Sequence, residues 1–93
     1  MTLNRLEQLR QSVSKINIEI LQMLNRRGDL ALEIWETKQH LGMSLQDNTR
    51  ERTQLDELTA ANSGPFPDET IREIFRKIFE DSRELMKTGK TEV

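Results

Sequence analysis

An unbroken helical pattern over the first forty or so residues constrains this chain more than any other feature. Leu6, Leu9, Val13, Ile16, Ile20, Met23, Leu24, Leu30, Ala31, Ile34 and Leu41 recur mostly three and four positions apart, with no proline among them and Gly28 as the one glycine before Gly42. That spacing lines one face of an α-helix. At 1.5 Å per residue, a helix over residues 3–41 measures roughly 55–60 Å. It overhangs any core that 93 residues can build. It therefore needs a partner along its length, and a second copy of the same chain is the simplest one. Gly28 costs such a helix about 1 kcal/mol relative to alanine; a close crossing and a mild bend both account for it.

Composition enters at this point. Apolar residues make up 34% of the chain, charged residues 32%, and the formal net charge is only −2. So few apolar residues, so regularly spaced, describe a folded chain whose core is shared between copies. No cysteine is present and His40 is the one histidine. Disulfides, thiolate or poly-histidine metal sites and thiol nucleophiles are thereby excluded, and neither a metal nor a cofactor is expected. The apolar runs are too short to span a membrane, and the near-neutral charge argues against a nucleic-acid partner. Residues 1–5 lack the apolar stretch of a signal peptide, so a cytoplasmic setting is expected.

Gly42 suits the C-terminal cap of the long helix, and residues 43–46 read as a connector. Asp47 or Asn48 can cap a second helix, whose apolar residues are Leu55 and Leu58 and which ends near residues 61–62. The run Asn62-Ser63-Gly64-Pro65-Phe66-Pro67 is the clearest loop. Asp68, Glu69 and Thr70 open a third helix, its stripe formed by Ile71, Ile74, Phe75, Ile78, Phe79, Ser82, Leu85 and Met86. The charge-rich segments 72–77 and 80–84 read as a solvated outer face, and the residues after about Met86 are expected to fray. The fold class is all-α, with one long and two shorter helices, a helical domain over residues 1–88 and a flexible tail over 89–93.

Polar residues on the apolar faces carry the functional signal. Arg10, Arg27 and Lys38 fall on the seam of the long helix. A lone cation there is usually a snorkelling side chain. Three together, with no carboxylate close by in the stripe, call for an anion, because an uncompensated buried cation is costly. Arg27 and Lys38 are eleven residues apart, so they share a face within ~20° and lie ~16 Å apart, close enough to converge on one small anion. Arg10 is roughly 25 Å from Arg27 along the axis. An antiparallel second copy would bring it beside the other chain's Arg27, giving two equivalent sites per dimer. Asp47, Arg50 and Glu51 fall on one face of a first helical turn. They form either a capped, charged helix start or a carboxylate that accepts from a ligand hydroxyl while Arg50 holds local geometry. Ser82 bonds its own backbone or a ligand. Met86 and Trp35 are most simply packing residues, and His40 a surface group favoured by the helix dipole.

Taken in order, these segments resemble a known family, the all-helical chorismate mutases. The resemblance covers nearly the whole chain, residues 3–86. It rests on Leu6-Glu7-Gln8-Leu9-Arg10, Leu24-Asn25-Arg26-Arg27, Glu33-Ile34-Trp35-Glu36-Thr37-Lys38 and Asp47-Asn48-Thr49-Arg50-Glu51-Arg52. The stretch Asn62-Ser63-Gly64-Pro65-Phe66, followed by Thr70-Ile71 and residues 74–79, is similar to the subset fused to the N-terminus of DAHP synthase. The resemblance implies an intertwined helical-bundle homodimer and conversion of chorismate to prephenate, an intramolecular Claisen rearrangement without a cofactor. It makes Arg27 and the neighbouring copy's Arg10 carboxylate clamps. Lys38 faces the ether oxygen, and Glu51 with the backbone near Asp47 holds the substrate hydroxyl. Arg50 supports the pocket, and Ser82 touches a carboxylate. Met86 stands where the family usually carries glutamine or glutamate, Trp35 where it commonly carries glycine, Asn48 in place of a frequent proline, and Arg83 in place of a less polar residue. The alternative implied by Met86 is a regulatory chorismate- or prephenate-binding domain of a DAHP synthase.

Overall fold

The computed structural model describes residues 2–89. Three helices follow in order: α1 over Leu3–His40, α2 over Asn48–Ala61 and α3 over Asp68–Thr88. No strand occurs among the described residues. The chain divides into two units, the first ending at Leu30 and the second beginning at Ala31.

In the first unit α1 stands without a core. None of its described residues is buried. Eleven large apolar side chains between Leu3 and Leu30 are exposed, among them Leu9 at 39%, Val13 at 57% and Ile16 at 52%. The helix forms because the segment has no proline, a single glycine at Gly28, and apolar residues at helical spacing, and it tolerates the β-branched Val13, Ile16, Ile18 and Ile20. Isolated helices gain most of their stability from packing an apolar face, and here that face has nothing on it within the unit.

The second unit has a small core of its own. Its buried apolar side chains, Ala31, Leu55 and Phe79, come one from each helix. α2 packs on α3. Arg72 of α3 ties them near the loop end, donating to Thr59 Oγ1 at 2.9 Å and to Asp56 Oδ1 at 3.4 Å. Phe75 and Phe79, one turn apart, meet as tilted rings with centroids 6.3 Å apart. The connecting loop is organised by Asn62. Its Nδ2 donates to Phe66 O at 2.9 Å and Asp68 Oδ1 at 2.8 Å, and its Oδ1 accepts from Gly64 N at 3.1 Å.

Three expectations change. α3 continues two residues beyond Met86, to Thr88, where Gly89 closes it in the left-handed region (φ 62°) and donates to Leu85 O and Met86 O. A residue with φ > 0 at this position is the usual glycine stop. Of the expected tail, residues 90–93 lie outside the described residues. The charged segments of α3 are not uniformly solvated, since Arg72 and Arg83 are half-buried. Ile74, assigned to the stripe, is 44% exposed, while Phe79 on the same helix is buried.

Candidate functional site

The end of α1 is shaped around Lys38. Met43 N donates to Lys38 O at 2.8 Å and Gly42 N to Gln39 O at 3.2 Å. That pair of bonds, with Gly42 at φ 68°, is a Schellman ending, which needs a residue free to adopt positive φ. The chain then doubles back, and Leu45 O accepts from Lys38 Nζ at 3.2 Å. Lys38 is thus fixed at both ends, through its carbonyl and through its ammonium. The side chain is half-buried, and among the described residues it forms no ion pair. Its side-chain bond thus goes to a neutral carbonyl and not to a carboxylate.

The start of α2 supplies the carboxylates. Asp47 caps the helix, its Oδ1 accepting from Arg50 N at 2.9 Å and its backbone oxygen from Glu51 N at 3.1 Å. Its cap geometry is extended, as a helix start requires. Capping fixes the facing of the next turn. Arg50 is left exposed, engaged here through its backbone, while Glu51 is half-buried. The Glu51 carboxylate Oε2 accepts from Arg83 Nη1 of α3, with the two side chains 25% and 23% exposed.

The sequence marks Arg83 only as more polar than the residue usual at its family position, and its bond to Glu51 is what sequence reasoning missed. Segment 80–84 reads as solvated, but Arg83 lies one turn after buried Phe79 and one turn before half-buried Met86. That i, i+4 and i, i+3 relation to two stripe residues was the signal available. The other α3 residues behave as their chemistry allows. Ser82 Oγ donates to Ile78 O at 2.8 Å, the local bond open to a helical serine. Met86 is half-buried.

Lys38, Asp47, Arg50, Glu51, Ser82 and Met86 all belong to the unit that begins at Ala31. Asp47 bonds the Arg50 and Glu51 amides, while the Lys38 and Glu51 side chains bond Leu45 and Arg83. Arg10 and Arg27 belong to the other unit, Arg10 exposed and Arg27 half-buried. Trp35 is half-buried and His40 exposed in the last turn of α1. Among the described residues no group of three or more histidines or carboxylates comes together to hold a metal, and no helix is long and apolar enough to cross a membrane. The side chains described are Lys38, a cation held by a carbonyl, Glu51, a carboxylate held by a guanidinium, and Met86, a half-buried thioether.

Comparison with known proteins matches residues 9–87 to the family described as chorismate mutase type II. A bifunctional chorismate mutase/prephenate dehydratase from Aquifex aeolicus (strain VF5) is 32% identical over 80 residues, covering 82% of this chain and 22% of that protein. The chain thus spans about a fifth of the length of that relative. Among solved structures, form II of chorismate mutase from Thermus thermophilus matches with a TM-score of 0.87 and 46% identity, covering 89% of this chain and 94% of the other. Form I of the same protein matches with a TM-score of 0.82 and 47% identity, over 84% and 98% of the two chains.

Proposed function

We propose that this chain, which belongs to the chorismate mutase type II family, converts chorismate to prephenate. The observation that carries the reading is Lys38, a half-buried ammonium held by Leu45 O at 3.2 Å and paired with no carboxylate among the described residues.

The reaction breaks an ether C–O bond and forms a C–C bond within one molecule. It moves no proton and leaves no group behind. The protein must hold a flexible dianion in its reactive diaxial form and oppose the negative charge that grows on the ether oxygen. In this reading Arg27 and the partner subunit's Arg10 clamp the two carboxylates, since a guanidinium fork fits a carboxylate edge. Lys38 faces the ether oxygen. Glu51 and the Asp47 backbone hold the ring hydroxyl, Arg50 supports the turn they share, and Ser82 touches a carboxylate. Lys38, Glu51 and Arg27 are the catalytic residues, with Arg10, Asp47, Arg50, Ser82 and Met86 completing the binding surface.

The reading requires an intertwined homodimer. Support comes from the eleven exposed large apolar side chains between Leu3 and Leu30, a face that a monomer in water rarely leaves open. The helical domain then spans residues 1–88, with the cytoplasm as its compartment. The loop at residues 62–66 and the start of α3 support a likeness to domains fused to DAHP synthase, which makes such a synthase a candidate partner. The matched Aquifex relative instead joins its mutase to a prephenate dehydratase.

A second reading rests on Met86. A thioether cannot donate to the ether oxygen, and losing one such donor typically costs ~10²–10³ in rate. The chain would then bind chorismate or prephenate as a regulatory domain with weak turnover. Loss of chorismate's enol absorbance with purified protein decides between them. Turnover in the wild type that is abolished in Arg27→Ala supports the enzyme. Calorimetric binding of prephenate without turnover supports the regulator. Neither turnover nor binding would remove both.

A further inference from the structure

Among the described residues, the Arg83–Glu51 pair is the one ion pair joining α2 to α3 with both partners half-buried. The pair Arg72–Asp56 also crosses between these helices, but Asp56 is 68% exposed. Surface pairs of that kind contribute little. The Arg83 contact is different in kind. It sits at the first turn of α2, directly after the Asp47 cap, and on α3 it lies between Ser82 and Met86.

We infer that Arg83 is a positioning residue for Glu51, holding the carboxylate in place to accept a substrate hydroxyl and neutralising its charge beside an anionic ligand. The inference rests on the functional reading above and deepens it. Three observations support it. First, Arg83 engages Oε2 alone, which leaves Oε1 to accept from a hydroxyl. Second, a glutamate side chain has three rotatable bonds, and a half-buried charge-assisted bond removes that freedom before the ligand arrives. Third, a bare carboxylate beside a dianion repels it. A guanidinium on the far side of the carboxylate cancels that repulsion without occupying the oxygen that faces the ligand. With a thioether at Met86, α3 offers no donor from that position, so Arg83 is the cation that α3 contributes.

The test compares Arg83→Leu, Arg83→Lys and Glu51→Gln, singly and with Arg83→Leu combined with Glu51→Gln, by chorismate turnover and urea unfolding. Arg83→Leu is expected to raise KM about tenfold, the size of one lost charge-assisted bond, with kcat falling by less than about threefold. Arg83→Lys should recover most of that loss. In the Glu51→Gln background Arg83→Leu should change KM by less than about twofold, because a positioning residue has nothing left to position. If Arg83→Leu fails to fold, Arg83→Gln replaces it in the same cycle. An unchanged KM, or an effect of equal size with and without Glu51, overturns the inference while wild-type turnover leaves the functional reading standing. Absence of wild-type turnover together with absence of prephenate binding overturns the functional reading, and the inference with it.

Discussion

The two units of this chain solve the problem of burial in opposite ways. Up to Leu30, α1 has an apolar face and no buried residue among those described. From Ala31 onward, each helix contributes one buried side chain, and helix ends are closed by Asp47, Gly42 and Gly89. The difference teaches that the apolar content of the first unit is not surplus. In the proposed dimer it is the half of a core whose other half a second copy supplies. The same reasoning separates the cations. Lys38 is fixed by its own chain, through Leu45 O. Arg10 is exposed, and the proposed function places it in the site of a second copy.

The largest effect should follow from a charge on the bare face. Ile16→Asp is expected to break the dimer and cost more than about 3 kcal/mol of assembly, since it would leave an unpaired charge in a shared core. Light scattering should report monomer and the turnover assay no activity. A dimer of unchanged stability would show that this face is not the interface. Next in size, Leu55→Ala opens a cavity in the small core of the second unit and should cost about 2–4 kcal/mol in urea unfolding. The matched change on the bare unit's end, Leu3→Ala, removes a side chain that is 85% exposed and should cost less than about 0.5 kcal/mol. Equal costs would dissolve the contrast.

Much of this contrast was legible beforehand. The spacing of apolar residues predicted α1 to within a residue at its C-terminal end, because Gly42 can take the positive φ that stops a helix and few other residues can. Asp47 was legible as one of two candidate caps, with Asn48, because a short side-chain oxygen reaches the free amides of a first turn. What the sequence hid was contact between helices. Arg72 and Arg83 sit in charged runs that read as solvent-facing. Which of those residues turns inward depends on how α2 crosses α3, and no one-dimensional pattern encodes that crossing. Ile74 and Phe79 show the same limit. Both fit a helical stripe, yet the former is 44% exposed and the latter 5%. The candidate site was legible as a set of residue types and spacings. The Glu51–Arg83 pair was not, because its members are thirty-two residues apart.

Smaller effects sharpen the picture of the second unit. Asp47→Ala removes the side-chain cap of α2 and should cost about 1 kcal/mol, with a rise in KM because Glu51 follows in the same turn. A stability loss without any KM change would detach the cap from the site. The smallest effect concerns Lys77. Hydrogen bonds to Asp81, then Glu80, raise its pKa above the ordinary 10.5. A raised pKa in the folded state means that the contribution is complete below 10.5 and is lost as the pH climbs through the raised value. Lys77→Met should therefore flatten the decline of Tm above pH 10.5 and leave the neutral Tm almost unchanged. An identical alkaline slope in both proteins would contradict that account.

The central claim is that each site draws residues from two copies of the chain, and mixing tests it most directly. Arg10→Ala and Lys38→Ala are prepared as separate inactive proteins, unfolded, combined in equal amounts and refolded together. Random pairing makes about half of the dimers mixed, and each mixed dimer has one site with both defects and one with neither, so activity should return to about a quarter of the wild-type value. Activity no higher than that of either variant alone, with mixed dimers verified by mass spectrometry, would show that the site belongs to a single chain.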